Sequence, residues 1–249
     1  WNLAPADFDW SNYLEFVDSD NKISYSASFG PKAQVWNEKE KERVKNDLKK
    51  FKYISVREQG SFDNVKDLLN IEPEINVDPT MLLTKDEWNN IIPKKRLYKK
   101  KYIFLYNLKS QDYVKLAHKI SRELKIPILI SKEGRIEEII YGFRRKFDVG
   151  PLEFLNLIKY SELTLSSSFH GTIFSIILNK PFFALKGKDD FRIQTLLDKM
   201  NLGDRSIDFD DYKEKCKKAF DINFDETYKL LNIERNKSKK YLMNALDIK

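Results

Sequence analysis

The chain has 249 residues, 41% of them hydrophobic, with 17 Phe, 12 Tyr and a formal net charge of +7. That length supports one large domain or two modest ones, each with its own core; the composition excludes a disordered chain, and no stretch approaches the roughly 20 apolar residues that would cross a bilayer. The single Cys216 leaves no intrachain disulfide, and one Cys with two His argues against a zinc site, so no metal or cofactor is expected and a reducing cytoplasm fits best.

Trp1 and Asn2 open the chain abruptly, without an initiator Met or a secretory signal. Ile23, Tyr25, Ala27 and Phe29 alternate with polar neighbours and predict a strand over 22–30, closed by Gly30 and Pro31. An exposed, charged helix over 38–51 follows, then a strand over 52–57 and a helix over 61–69 with Ser61 as its cap. A short strand at 75–77 runs into Asp78-Pro79-Thr80, and Thr84 opens a short helix with Asp86 and Glu87 in its first turn. The basic run 93–101 reads as a solvated interdomain linker, or as a weak attractor for an anionic membrane surface or acidic substrate. Elsewhere the basic residues are scattered and answered by acids, without the basic–aromatic clustering of a nucleic-acid binder.

The rhythm then repeats. Strands are predicted over 102–106, 126–130, 163–166 and 181–185, and helices over 111–124, from Pro151, over 170–178 and over 191–200. Alternating strands and helices at this spacing mean parallel βαβ units, and strands apolar on both faces mean a sheet covered on both sides. The expected architecture is α/β, with two Rossmann-like parallel-sheet domains. Residues 1–95 form the C-terminal part of the first, with too few strands for a whole sheet; residues 96–224 form the second. A helix over 225–249 packs back on the first.

The segment with most chemistry is 163–172, which passes from a buried strand to a buried helix through Ser166, Ser167, Ser168, Phe169, His170 and Gly171. Ligands of open α/β sheets bind beyond the carboxyl ends of strands, and a helix N-terminus suits phosphate or carboxylate. Gly171 would let a ligand approach the backbone, and a His here can exchange protons near neutral pH. On pattern alone, His170 could equally cap the helix while the serines satisfy the turn. His118, between Ala117 and Lys119 in mid-helix, reads as structural or as surface.

Ser-Ser-Phe-His-Gly at 167–171, an apolar helix and then Asn179-Lys180-Pro181-Phe182 resemble the signature of the polysaccharide pyruvyl transferase family. Further segments resemble the family in order: Tyr-Ser-Ala-Ser-Phe-Gly at 25–30, Ser-Val-Arg-Glu at 55–58, Val-Asp-Pro-Thr at 77–80, Gly-Pro-Leu-Glu-Phe-Leu at 150–155, and the closing Arg192-Ile193 with Leu202-Gly203-Asp204-Arg205. Trp1-Asn2 is similar to the tail of another family motif, which implies that most of a first half lies outside this chain.

The resemblance implies a fold like the glycosyltransferase B type, with two halves facing a cleft, and transfer of a pyruvyl group from phosphoenolpyruvate to two hydroxyls of a cell-surface polysaccharide sugar or its lipid-linked precursor. It implies His170 and Asp78 as catalytic groups, the latter also readable as an ordinary turn residue. Arg57, Ser167, Ser168, Gly171 and Arg192 would bind the donor, since Arg captures carboxylate and phosphate in bidentate fashion. Ser26 and Ser28 would line the cleft or satisfy backbone. Some family members carry Arg two positions before the motif His; Ser168 stands there in this chain, which leaves open a different donor, or one held by Arg57 and backbone N–H groups.

The competing functions are a nucleotide-sugar glycosyltransferase on the same architecture, with Glu133 before Gly134 as a ribose-binding candidate, and a non-catalytic glycan-binding protein for which His170 would be dispensable. Asp18-Ser19-Asp20 matches a metal-binding D-x-D pattern but reads as a surface turn. The expected partners are phosphoenolpyruvate and a glycan or lipid-linked acceptor, not nucleic acid. The expected location is the cytoplasm, with peripheral contact at the inner membrane surface.

Overall fold

The computed structural model describes residues 1, 10–19, 21–30, 36–106, 110–131, 136–185 and 190–248. Asn2, Asp20, Pro31, Glu133 and Gly134 lie outside them. In chain order the elements are β1 (Lys22–Ala27), α1 (Glu38–Leu48), β2 (Phe51–Val56), α2 (Gln59–Leu69), β3 (Glu74–Ile75), α3 (Lys85–Ile91), β4 (Ile103–Tyr106), α4 (Gln111–Leu124) and β5 (Ile128–Ile130). They continue with α5 (Ile136–Ile140), β6 (Arg144–Arg145), α6 (Pro151–Lys159), β7 (Leu163–Ser166), α7 (Phe169–Ile177), β8 (Phe182–Ala184), α8 (Phe191–Lys199), α9 (Tyr212–Lys217) and α10 (Phe224–Ala245). The chain divides into two compact units: Trp1–Leu82 with Asp189–Leu196 and Lys229–Lys249, and Leu83–Lys188 with Leu197–Tyr228.

The first unit holds a parallel sheet in the order β1-β2-β3. Its core joins Phe29, Phe51, Ile54 and Val56 to Val44 and Leu48 of α1 and Val65 and Leu68 of α2. Asn37 and Glu40 close a capping box on α1, satisfying N–H groups that a helix start leaves over. The predicted cap of α2 is displaced: Glu58 is the N-cap residue, and Ser61 lies buried inside the first turn. The reason is that the Ser61 hydroxyl has long-range work, accepting from Phe29 N at 2.8 Å while donating to Glu58 Oε1. From α10, Ser238 Oγ accepts from Val77 N at 3.0 Å, Tyr241 Oη donates to Ser24 O at 2.8 Å, and Arg235 Nε donates to Met81 O at 2.7 Å.

The second unit carries an all-parallel sheet ordered β6-β5-β4-β7-β8. Its central strands are buried on both faces: Ile103, Leu105, Ile128, Ile130, Leu163 and Leu165 on one face pack with Val114, Ala117 and Ile120 of α4, and Phe104, Leu129 and Thr164 on the other are fully buried. Gly150 and Pro151 start α6 as expected, with Pro supplying a helical φ where no N–H bond is lost. Five-residue α5, two-residue β6 and six-residue α9 are too short to show a period in the sequence.

The basic run is not a free linker. Asn156 of α6, fully buried, donates Nδ2 to Pro93 O at 2.7 Å and Lys95 O at 3.0 Å, and accepts from Leu97 N at 3.1 Å. Tyr160 Oη donates to Lys94 O at 2.7 Å, and Arg96 Nη2 donates to Tyr160 O at 3.1 Å. The backbone of 93–97 is thereby bound to the end of α6 while its charged side chains face solvent.

Candidate functional site

In the first unit the chemistry collects just past the carboxyl ends of β1, β2 and β3. Arg57 directly follows β2, its N–H still donating to Ala27 O at 2.9 Å, and Asp78 lies three residues past the end of β3. Arg57 Nη1 donates to Asp78 Oδ2 at 2.7 Å, and Arg57 Nε lies 3.6 Å from Glu58 Oε2. Asp78 Oδ1 accepts from Thr80 N at 3.0 Å and Thr80 Oγ1 at 2.7 Å. Ser28 Oγ donates to Glu58 Oε1 at 2.9 Å and accepts from Gly30 N at 3.0 Å. Glu58 and Asp78 are 0% and 3% exposed, so Arg57 is a guanidinium held between two buried carboxylates. Burial pushes the Glu58 carboxyl above the usual range, against the opposing pull of Ser61, Ser28, Arg57 and Arg192.

Arg192, near the start of α8, is partly buried. Its Nε and Nη2 donate to Asp190 Oδ1 and Oδ2 at 2.9 and 2.6 Å, a bidentate pair with a carboxylate that is itself buried. Burial works against the Arg192 charge, but the bond and charge of Asp190 outweigh it and hold the guanidinium above its ordinary pKa. Ser26 is buried rather than cleft-lining: it takes a left-handed φ of 52° at a break in the β1–β2 register, where its N–H goes to Ser55 Oγ at 2.9 Å and its hydroxyl to Asn76 O at 3.3 Å. Glu58, Ser61, Thr80 and Asp190 were not singled out from the sequence as site residues. Glu58 stood inside the Ser-Val-Arg-Glu match, and Asp190 two residues before Arg192; only their burial reveals them.

In the second unit β7 enters α7 through Ser167 and Ser168. Ser168, not His170, is the N-cap residue, and its side chain makes no capping bond. Ser167 N donates to Tyr106 O of β4 at 3.1 Å and Ser168 N to Ser166 Oγ at 3.0 Å, so these two N–H groups are engaged within the second unit. Gly171 needs its missing side chain for packing: a Cβ there would fall inside contact distance of Ser166 Oγ and 2.9 Å from Ser166 Cβ. That close approach of α7 to β7 is a packing reason for the glycine. His170 is exposed at the second position of an otherwise buried helix, its ring 5.6 Å from that of Phe169. His118 stacks on Tyr141 at 4.3 Å, and burial lowers its pKa. Thus Arg57, Asp78, Ser26, Ser28 and Arg192 belong to one unit, and Ser167, Ser168, His170 and Gly171 to the other.

Among the described residues no three His, Cys, Asp or Glu side chains group as a metal site, and no helix is long and apolar enough to cross a membrane.

The family model for polysaccharide pyruvyl transferase matches residues 3–189. No curated protein matches the chain significantly. Among solved structures, the chain is similar to UDP-GlcNAc 2-epimerase from Neisseria meningitidis bound to UDP-GlcNAc, at 12% identity over 85% of this chain and 64% of that one, with a TM-score of 0.54. It is likewise similar to a putative UDP-N-acetylglucosamine 2-epimerase from Listeria monocytogenes, at 9% identity over 84% and 61%, with a TM-score of 0.53. UDP-GlcNAc 2-epimerase from Methanocaldococcus jannaschii aligns at 17% identity over 75% and 63%, with a TM-score of 0.44. At these identities the first two likenesses establish the fold, a glycosyltransferase B-like α/β arrangement with parallel sheets. The chain spans less than two thirds of the length of each of these proteins.

Proposed function

The chain belongs to the polysaccharide pyruvyl transferase family, and on that premise we propose that it transfers a pyruvyl group from phosphoenolpyruvate to two hydroxyls of a sugar in a cell-surface polysaccharide or its lipid-linked precursor, acting in the cytoplasm. The two units are read as its two Rossmann-like domains. The observation that carries the proposal is His170: a titratable ring, exposed at the start of a rigid buried helix, at the carboxyl edge of a parallel sheet where such folds bind ligands.

The reaction balances without a metal or redox partner. A proton adds to the methylene carbon of the enol, giving an oxocarbenium-like centre. One sugar hydroxyl adds there and gives up its proton. Phosphate then leaves as the second hydroxyl adds and loses its own proton, so that of two protons released one ends on the methyl group and one on phosphate. His170 is assigned to proton transfer at these steps.

Arg57 is assigned to the donor's carboxylate or phosphate. Asp78, expected as a catalytic group, is assigned here to positioning the guanidinium, a reading supported by Arg57 on one of its oxygens and Thr80 on the other. Glu58 supports the same guanidinium from its Nε side. With Ser168 where some relatives have Arg, the donor's charge is left mainly to Arg57.

Calorimetry on the intact protein tests this. Phosphoenolpyruvate should bind saturably, Arg57→Lys should weaken binding because the fork is lost, and His170→Ala should bind normally but form no ketal. Binding of a nucleotide sugar without binding of phosphoenolpyruvate overturns the proposal in favour of glycosyl transfer. Full activity in His170→Ala removes His170 from the chemistry.

A further inference from the structure

Several cations of the second unit stand at one edge of its sheet. All five strands run parallel, so the sheet has one amino edge and one carboxyl edge. His170 lies at the carboxyl edge, after β7. The starts of the strands define the other. Lys99, Lys100 and Lys101 immediately precede Tyr102 and β4; Lys125 precedes β5; Lys180 precedes β8. Register confirms the common edge, since Ile103 is opposite both Ile128 and Leu163, and Thr164 is opposite Phe182. The segment 93–97, bonded to Asn156 and Tyr160 at the end of α6, brings Lys94, Lys95 and Arg96 to the same side.

Some of this charge has a local explanation. Lys125 and Lys159 stand at the ends of α4 and α6, where cations complement the helix dipole. The triplet 99–101 and the strap 94–96 sit on no helix, so that account does not reach them. Lys180 is half-buried, and that burial above all lowers its pKa, with small additions from Arg96 and Lys85 and against the charge of Glu162, which precedes β7 at the same edge.

We infer that this amino edge is a docking surface for an anionic lipid bilayer, formed by the lysines at the strand starts and the basic strap laid over the end of α6. The occupant is argued from the side chains present. Lys and Arg on long stems reach lipid phosphates while their methylenes stay at the boundary. Ile91, 47% exposed directly before the strap, supplies an apolar contact of the kind interfacial proteins insert. A single-stranded nucleic acid would need open aromatic faces for base stacking. Here Tyr160 is covered by Arg96 at 5.2 Å and Lys159 at 5.6 Å, and Tyr98 packs edge-on to Tyr102 at 5.4 Å. The inference does not depend on which donor the enzyme uses. It places any membrane on the side of the second unit's sheet opposite His170.

The test is sedimentation of the intact protein with vesicles of phosphatidylcholine alone or mixed with phosphatidylglycerol. Binding should require the anionic lipid and fall as salt rises from about 0.1 M to about 1 M, where the screening length shrinks from about 10 Å to about 3 Å. Lys99→Glu/Lys100→Glu/Lys101→Glu should weaken binding on the order of a hundredfold, taking roughly fivefold per lysine, with phosphoenolpyruvate binding and circular dichroism unchanged. Lys237→Glu/Lys239→Glu/Lys240→Glu, equal in charge change but on α10, should bind vesicles nearly as the parent does. No sedimentation with anionic vesicles overturns the inference, as does equal loss in both triple variants. Retention on single-stranded DNA at salt that abolishes vesicle binding would also overturn it and reassign the edge to a polyanion.

Discussion

Replacing Gly171 by Ala puts one methyl group where α7 crosses closest to β7. The new Cβ would meet Ser166 Oγ and stand 2.9 Å from Ser166 Cβ. Ser166 cannot retreat cheaply, because its strand is paired on both sides, with Tyr106 and with Ala184. Turning its side chain away would break the bonds Oγ makes to Ser168 N and O at 3.0 and 3.1 Å, at about 1 kcal/mol each. Overpacking costs about 1–3 kcal/mol, and Ala regains up to about 1 kcal/mol over Gly in a helix. The net expectation is about 2 kcal/mol of destabilisation, confined to the second unit. Trp88, that unit's one tryptophan, packs edge-on to Phe174 of α7 at 5.0 Å and reports the loss in urea titrations, with Trp88→Phe as the signal control. Ser166→Gly alone should destabilise, yet the double variant Ser166→Gly/Gly171→Ala should recover part of the sum, with a coupling above about 0.5 kcal/mol. Undiminished stability in Gly171→Ala, together with loss of ligand binding, would refute the packing argument and restore the glycine to a ligand-approach role.

Glu58 ties stability to pH. Its folded pKa is raised, so between the unfolded value near 4.3 and the folded one the native state holds the extra proton. The stability this confers is present below the unfolded value and lost as pH rises through the folded one; the urea midpoint of Glu58→Gln should therefore decline less than the parent's from about pH 5 to about pH 8. A parallel decline in both proteins would contradict the assignment. Asn156→Ala should cost about 2 kcal/mol by stranding Pro93 O, Lys95 O and Leu97 N, and should speed tryptic cutting within 94–101; unchanged cutting would mean the strap holds without it. Arg205, 3% exposed, donates to the carbonyls of Lys218, Ala219 and Asp221 and pairs with Asp204. Arg205→Met should lower stability by about 3 kcal/mol, and Arg205→Lys should not restore it, because an ammonium cannot span those acceptors; full recovery by Lys would show that charge alone suffices.

Much of the fold can be read from single residues and their periods. Continuous apolar runs at 102–106 and 126–130, alternating with the amphipathic pattern of 111–124, specify a covered parallel sheet, because only buried strands tolerate two apolar faces. The family match rests on short runs such as Ser-Phe-His-Gly and Ser-Val-Arg-Glu, legible because their order survives as well as their identity. Local rules failed where a side chain serves a distant partner. Ser61 looks like a cap, but its hydroxyl is drawn to Phe29 N across 32 positions. The run 93–101 looks like a solvated linker, but buried Asn156 binds its backbone across about 60.

Sequence by itself determined the element order, the sheet type, the family and the list of chemical groups, all of which depend on neighbours within a few residues. Tertiary structure alone decided which partners those groups find: Asp78 is bound to Arg57 and Thr80, Arg192 to Asp190, Ser167 N to Tyr106 O and Ser168 N to Ser166 Oγ. The physical reason is desolvation. A buried polar group must find a partner, and which partner lies within 3 Å is set by how strands and helices pack rather than by what precedes it in the chain.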